Sequence, residues 1–387
     1  MPRTNPSTEP FSLGELLGYF LRLGSLGFGG PIALVGAMQR DLVDRRRWFS
    51  PRDYAEGLAL AQLAPGPLAA QLAIYLGWIK GGTPGATLVA AAFILPSCLM
   101  VLALSAVYVQ YGGLAWMQGA FYGIGAAVIA IIGRSAWKLT RTTLGKDPLR
   151  WVIFALSAGI TAWTESEIVW VFLLCGVAVL VVRGLPSRGA TAVALVPWPL
   201  LVVGLHGPAP DGTLATITWY FAEAGAFVFG SGLAIVPFLH GGVVNQFHWL
   251  TERQFLDAVA VAMITPGPVV ITVAFIGYLV AGPLGATLAA FGVFVPCYLF
   301  VIIPATYFRR SVSHPSVRAF VDGVTAAATG AIAGAAFVLA RRAIVDVPTA
   351  LLAAATLAIL TRVRGIPEPL VIGAAGALGV CTTAAGW

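Results

Sequence analysis

One phrase stands twice in this chain, and both copies interrupt long apolar stretches. The first reads Phe20-Leu-Arg-Leu-Gly24 and Phe28-Gly29-Gly30-Pro31, then Trp48, then Pro65-Gly66-Pro67. The second reads Phe221-Ala-Glu-Ala-Gly225 and Phe229-Gly230-Ser231-Gly232, then Trp249, then Pro266-Gly267-Pro268. Phe229, Trp249 and Pro266 each follow their first-half counterparts by 201 residues. A single proline kinks a helix. Two prolines around a glycine remove two amide donors and crowd the preceding turns, leaving a helix few ways to continue. Duplicated apolar halves with breaks at matching places are what a secondary transporter needs, because its site forms where discontinuous helices meet.

Composition sets the solvent. Only 10% of the 387 residues are charged and 58% are hydrophobic, whereas soluble domains carry about 25% charged residues. Apolar segments run near 13–39, 54–79, 84–110, 115–137, 151–164, 168–183 and 190–206, then 216–240, 255–280, 283–308, 317–340, 348–361 and 366–385. The chain therefore reads as an all-α polytopic membrane protein. Its two homologous halves have inverted topology, with broken or re-entrant helices at the Gly/Pro motifs. Residues 1–12, with Pro2, Pro6 and Pro10, form a disordered tail, and no signal-peptide pattern follows. Residues 13–206 make the first repeat, 207–215 a linker and 216–387 the second repeat. The net charge of +7 sits in short loops and acts as a topology signal, so nucleic acid is not an expected partner. Cys98, Cys175, Cys297 and Cys381 fall in apolar stretches without metal-ligand spacing, so neither metal nor cofactor is expected. No phosphate-binding loop or nucleophile constellation points to an ATPase or another enzyme.

Loop charges orient the halves. Residues 40–52 hold five arginines against Asp41 and Asp44, while the equivalent 241–253 holds only Glu252 and Arg253. The first loop is expected in the cytoplasm and the second outside. The same count puts 138–150, Arg183/Arg188, Arg309/Arg310/Arg318 and Arg362/Arg364 inside; Arg341 and Arg342 are exceptions, falling outside. This topology needs residues 54–79 to return to the side they left, and the extra first-half segment to supply an odd number of crossings. The N-terminus then lies in the cytoplasm.

The breaks carry the candidate chemistry. Backbone freed by a broken helix is tolerated in a bilayer only where it lines a cavity or is buried in protein. A helix N-terminus offers amides and partial positive charge to an anion. Phe28, Gly29, Gly30 and Pro31, with Pro31 in the first turn of a new half-helix, fit this role. So do Phe229, Gly230, Ser231 and Gly232, although small residues also serve close helix packing. Beside the breaks Pro65, Gly66, Pro67 and Pro266, Gly267, Pro268 lie Gln62, Gln71, Thr265 and Thr272. These neutral groups suit an oxyanion or, equally, interhelical hydrogen bonds. Arg22 and Glu223 hold equivalent places 201 residues apart. Arg22 could attract an oxyanion and Glu223 could take a proton for coupling; alternatively Arg22 snorkels to the interface, or the two pair structurally.

At these motifs the chain resembles the chromate transporter family of bacterial inner-membrane proteins. The resemblance rests on Phe20 to Gly24, Phe28 to Pro31, Arg45-Arg-Arg-Trp48, Pro65 to Pro67, and Gly85-Ala86 with Pro96. The second half repeats it through Phe229 to Gly232, Trp249, Thr265 to Pro268, Gly285-Ala286 and Pro296. It covers essentially the whole chain and implies the family's long, two-domain form: an exporter of chromate, conferring resistance, that also admits sulfate-like dianions. The expectation is ion-coupled efflux by alternating access in the inner membrane, with a proton or counter-anion as second substrate and a homodimer allowed. The alternatives are a transporter of another oxyanion, such as sulfate, and a membrane interaction subunit that moves nothing.

Overall fold

The computed structural model describes residues 9–28, 30–111, 114–164, 169–184, 213–227, 235–307, 315–344, 346–363, 366 and 368–384. Among the described residues the chain is helical, with no strand. The first half comprises α1 (Leu13–Leu26), α2 (Gly30–Met38), α3 (Pro51–Leu63), α4 (Leu68–Tyr111), α5 (Ala115–Leu144), α6 (Pro148–Thr164) and α7 (Val169–Gly184). The second comprises α8 (Thr213–Phe227), α9 (Ile235–His240), α10 (Glu252–Ile264), α11 (Thr272–Tyr307), α12 (Pro315–Ala343), α13 (Val347–Arg362) and α14 (Glu368–Ala384). The segment expected at 190–206, most of the tail and most of the linker lie outside the described residues.

Local chemistry repeats with the sequence. In both halves the second helix widens into a π-helical turn, Gln39–Arg45 and Gly241–Gln246. Each turn is followed by a residue at positive φ, Arg47 and His248, both at 51°. The chain then reverses, and the Trp48 and Trp249 amides reach back to the Leu42 and Val243 carbonyls, each at 2.8 Å. Next come side-chain caps: Ser50 Oγ accepts from the Asp53 amide at 3.0 Å and Thr251 Oγ1 from the Gln254 amide at 3.3 Å. These satisfy amides that a helix start leaves open, and they begin α3 and α10.

The apolar stretch at 54–79 is not one helix. It is α3, the Pro-Gly-Pro turn, and the first arm of α4 (68–80). A methyl group placed at Gly57 would lie 2.2 Å from the Tyr75 ring. Gly57 and Tyr75 are equally far from Gly66, so the two helices form a hairpin. At 1.5 Å per residue each is about 20 Å long, too short for a roughly 30 Å hydrocarbon core. This is the re-entrant form that the loop charges require. The second half repeats it as α10, a short 3₁₀ turn at Val269–Ile271, and the first arm of α11 (272–280).

α4 and α11 then bend sharply. Gly81 and Gly82, and Ala281 and Gly282, leave helical geometry. The bend brings Gly77 against the Gly85 carbonyl and Gly277 against that of Gly285. The second arms (83–111 and 283–307) pack on α1 and α8: a methyl at Gly24 would lie 2.2 Å from the Phe93 carbonyl, and one at Gly225 the same distance from that of Val293. Leu68–Tyr111, Trp116–Arg141, Val269–Ala305 and Asp322–Ala343 are each long and apolar enough to cross a membrane. Leu99 and Phe291, on the second arms, are 64% and 65% exposed; such large apolar surface is anomalous in water and ordinary against lipid.

The halves interlock. α12 packs on α6 and α7 of the first half, and α5 packs on α13 and α14 of the second. Small residues let these helices approach closely: a methyl at Gly330 would lie 2.3 Å from the Phe154 carbonyl, and one at Gly123 2.0 Å from that of Ala375. Arg150 pairs with Asp322, and Arg134 with Glu368 at 4.0 Å, across the same two contacts. The main hydrophobic core is continuous through both halves, with Phe20, Phe93, Phe221, Phe255 and Phe275 all fully buried.

One exception in the loop charges has a structural cause. Arg342 Nη1 donates to Glu252 at 2.6 Å, and the buried His240 meets the same carboxylate at 2.9 Å. The positive charge is consumed by an ion pair tying α12 to α10, so it carries little topological information.

Candidate functional site

Both hairpins turn at Pro-Gly-Pro, and all six residues of the two turns are buried. The prolines lack amides, and Gly66 and Gly267 take φ of 133° and 102°, which side chains rarely tolerate. Each turn rests on the opposite half. A methyl at Gly66 would lie 3.0 Å from Cys297 Sγ, and one at Gly267 1.9 Å from Ser97 Oγ. Ser97 and Cys297 are themselves counterparts, following Pro96 and Pro296. Ser97 Oγ donates to the Gly24 carbonyl at 3.1 Å, and Cys297 Sγ to that of Gly225 at 3.5 Å. The Gly267 amide donates to the Gly27 carbonyl at 2.9 Å. The second half's turn is thus bonded directly to the break between α1 and α2.

The two turns differ in polar content. Gln71 is fully buried; its Nε2 donates to the Pro65 carbonyl, and its Oε1 has no partner among the described residues. The second half places hydroxyls there: Thr265 Oγ1 donates to Val261 and Thr272 Oγ1 to Val269, each at 2.7 Å. Both hydroxyl protons are therefore committed to carbonyls of their own segment. The amides of Leu68, Ala69 and Ala70 precede the first helical hydrogen bond, from the Gln71 amide to the Pro67 carbonyl at 3.0 Å. They form the open end of a half-helix within buried surroundings, which is an arrangement that favours an anion.

Pro31 lies in the first turn of α2, beginning at Gly30, as its fixed φ suits. Phe28 is 42% exposed. Gly29, Phe229, Gly230, Ser231 and Gly232 lie outside the described residues. Gln62 is exposed, and so is Arg22, on the face of α1 opposite the buried Gly24. Glu223 is half-buried on α8. Among the described residues no hydrogen bond or ion pair joins Arg22 to Glu223. In each half the structure packs the Pro-Gly-Pro turn with its own glutamine or threonines and against a residue of the opposite half.

The comparison with known proteins agrees with this duplicated arrangement. The family model described as chromate transporter matches residues 14–180 and again residues 215–380. The chain belongs to the chromate transporter family. It is 57% identical to the chromate transport protein of Cupriavidus metallidurans over 96% of this chain and 93% of that one. It is 54% identical to the probable chromate transport protein of Synechococcus elongatus, covering 96% and 95%. Identity to the chromate transport protein of Pseudomonas aeruginosa is 32%, covering 89% and 86%. No solved structure gives a significant match. As a chromate transporter family member with several apolar helices, the protein is a multi-pass membrane transporter and not an enzyme.

Three features of this family member escaped the sequence reading. Ser97 and Cys297 seat the turns of the opposite half; their matching places after Pro96 and Pro296 were legible, and their contact with the other half was not. Tyr19 and Tyr220 extend the duplicated phrase by one residue, and the Tyr220 hydroxyl ties α8 to α9 through the Phe238 carbonyl at 2.9 Å. Asp257 is a buried carboxylate on the re-entrant helix α10. The same offset of 201 pairs it with Glu56, a signal that was legible.

Proposed function

We propose that this protein carries chromate, or a closely similar tetrahedral dianion, out through the inner membrane by ion-coupled alternating access. The observation that carries this reading is the reciprocal seating of the two Pro-Gly-Pro turns, Gly66 on Cys297 and Gly267 on Ser97. A place where each half's broken helix is closed by the other half is a place whose exposure changes when the halves rock. Identity of 57% to a protein named for chromate transport supports the substrate. The dianion is held by the open half-helix amides rather than by a fixed cation, which favours release as well as capture. A bound water or a protonated oxyanion gives Gln71 Oε1 its missing donor, relieving a penalty of about 1–3 kcal/mol for an unpaired buried polar atom.

In this reading the halves are inverted, with the N-terminus and the arginine-rich 40–52 loop in the cytoplasm. The loop charges support the orientation, and the ion pair of Arg342 removes one argument against it. Purified protein in liposomes tests the function. Chromate movement is expected, slowed by excess sulfate and responsive to an imposed pH gradient. Failure to move any dianion would contradict transport and favour an interaction subunit.

A further inference from the structure

Among the described residues Asp257 is the one carboxylate that the fold buries, at 5% exposure. Its Oδ2 accepts the Tyr108 hydroxyl at 2.7 Å. The Tyr108 ring is held edge-on by Phe121 of α5 and Phe275 of α11, at 5.4 and 5.2 Å. Among the described residues no cation forms an ion pair with it. Arg253, one turn earlier on the same helix, gives its guanidinium to the Gln118 carbonyl at 3.2 Å instead. Tyr108 of α4 is the titratable group that reaches Asp257 from a neighbouring element, and Arg253 is the nearby charge on its own. Among the described residues α5, α11 and α14 place no charged side chain in hydrogen-bond or ion-pair contact with it. His240, Glu252 and Arg342, at the start of α10, are engaged with one another.

The first half shows the alternative. Glu56 and Arg52 hold the places of Asp257 and Arg253, 201 residues earlier. There the acid stays partly exposed and pairs with its arginine at 3.0 Å. One copy of the duplicated acid is therefore a surface ion pair, and the other is a buried carboxylate that, among the described residues, has a tyrosine hydrogen bond and no ion pair. An isolated buried charge is costly, so the closed arrangement favours the neutral acid and an opened one the carboxylate. Asp257 lies nine residues before Pro266, about 13 Å along the helix that leads into the second turn.

We propose that Asp257 is the proton-carrying group that couples anion movement to a pH gradient, with Tyr108 as its positioning partner. The assignment rests on the transport reading above. An O–H bond of hydronium on one side breaks, the proton bonds to Oδ1 and water is released, while Oδ2 keeps the tyrosine hydrogen bond. When access alternates, that O–H bond breaks toward water on the other side and the carboxylate returns.

The test uses full-length protein in liposomes, read in two ways: chromate counterflow at equal pH, and chromate accumulation driven by an imposed pH gradient. Asp257→Asn is expected to keep counterflow and to lose gradient-driven accumulation completely. Tyr108→Phe, removing a donor to the carboxylate, is expected to keep both and move the pH profile upward. Glu56→Gln is expected to match the unmodified protein in both. Accumulation that survives in Asp257→Asn would overturn the assignment. So would loss of counterflow together with accumulation, or the same selective loss in Glu56→Gln. Absence of counterflow in the unmodified protein would contradict the transport reading instead.

Discussion

Gly82 and Gly282 hold φ of 62° and 64° with ψ of −152° and −157°, a backbone region that is essentially glycine's alone. Their predecessors, Gly81 and Ala281, sit at φ of −140° and −144°, where any residue fits, and the second half already carries alanine. A methyl at Gly81 would meet nothing nearer than Leu13, at 3.6 Å. Gly81→Ala is therefore expected to leave thermal unfolding in detergent essentially unchanged. Gly82→Ala and Gly282→Ala should each lower stability by about 1–3 kcal/mol from backbone strain alone. Equal effects at 81 and 82 would contradict the bend. Single residues were legible where chemistry forces them, as with the Pro-Gly-Pro glycines and Pro31. Arg22 shows what the sequence leaves open: its charge has the same local context whether it faces a site or the interface, and only the packing of Gly24 places it on the exposed face of α1.

At the level of elements, the broken segments were legible because proline and glycine act locally. What the sequence concealed is the cause of a change of register. The repeat runs at an offset of 201 as far as Pro-Gly-Pro and at 200 from Gly77/Gly277 onward. The cause is the start of the following arm. The Gln71 amide reaches the Pro67 carbonyl four residues back, whereas the Ile271 amide reaches that of Pro268 three residues back. A tighter 3₁₀ turn absorbs the missing residue and brings Thr272, in place of Gln71, beside the second turn. The loops after α2 and α9 share one backbone form and differ in charge, which is the basis of the proposed inversion. Single cysteines at 44 and 245, in a protein freed of its four native cysteines, should label from opposite sides of the membrane. Labelling from one side would refute the inversion.

For the molecule as a whole, the repeat was visible but its interlocking was not. Hydrophobic periodicity says that a helix buries a face, and small residues say that something comes close; neither names the partner. Gly330 meets Phe154 and Gly123 meets Ala375 from opposite halves of the chain, and such pairings exist only once the halves are assembled. The same assembly closes each Pro-Gly-Pro turn with a residue of the other half, so the account predicts one anion pathway made jointly rather than one per half. Chromate flux through liposomes containing Gly66→Ala or Gly267→Ala protein tests this most directly, provided each variant elutes as folded protein. A joint pathway predicts that either substitution alone brings flux to background. Two variants that each retain about half of the unmodified flux would contradict it.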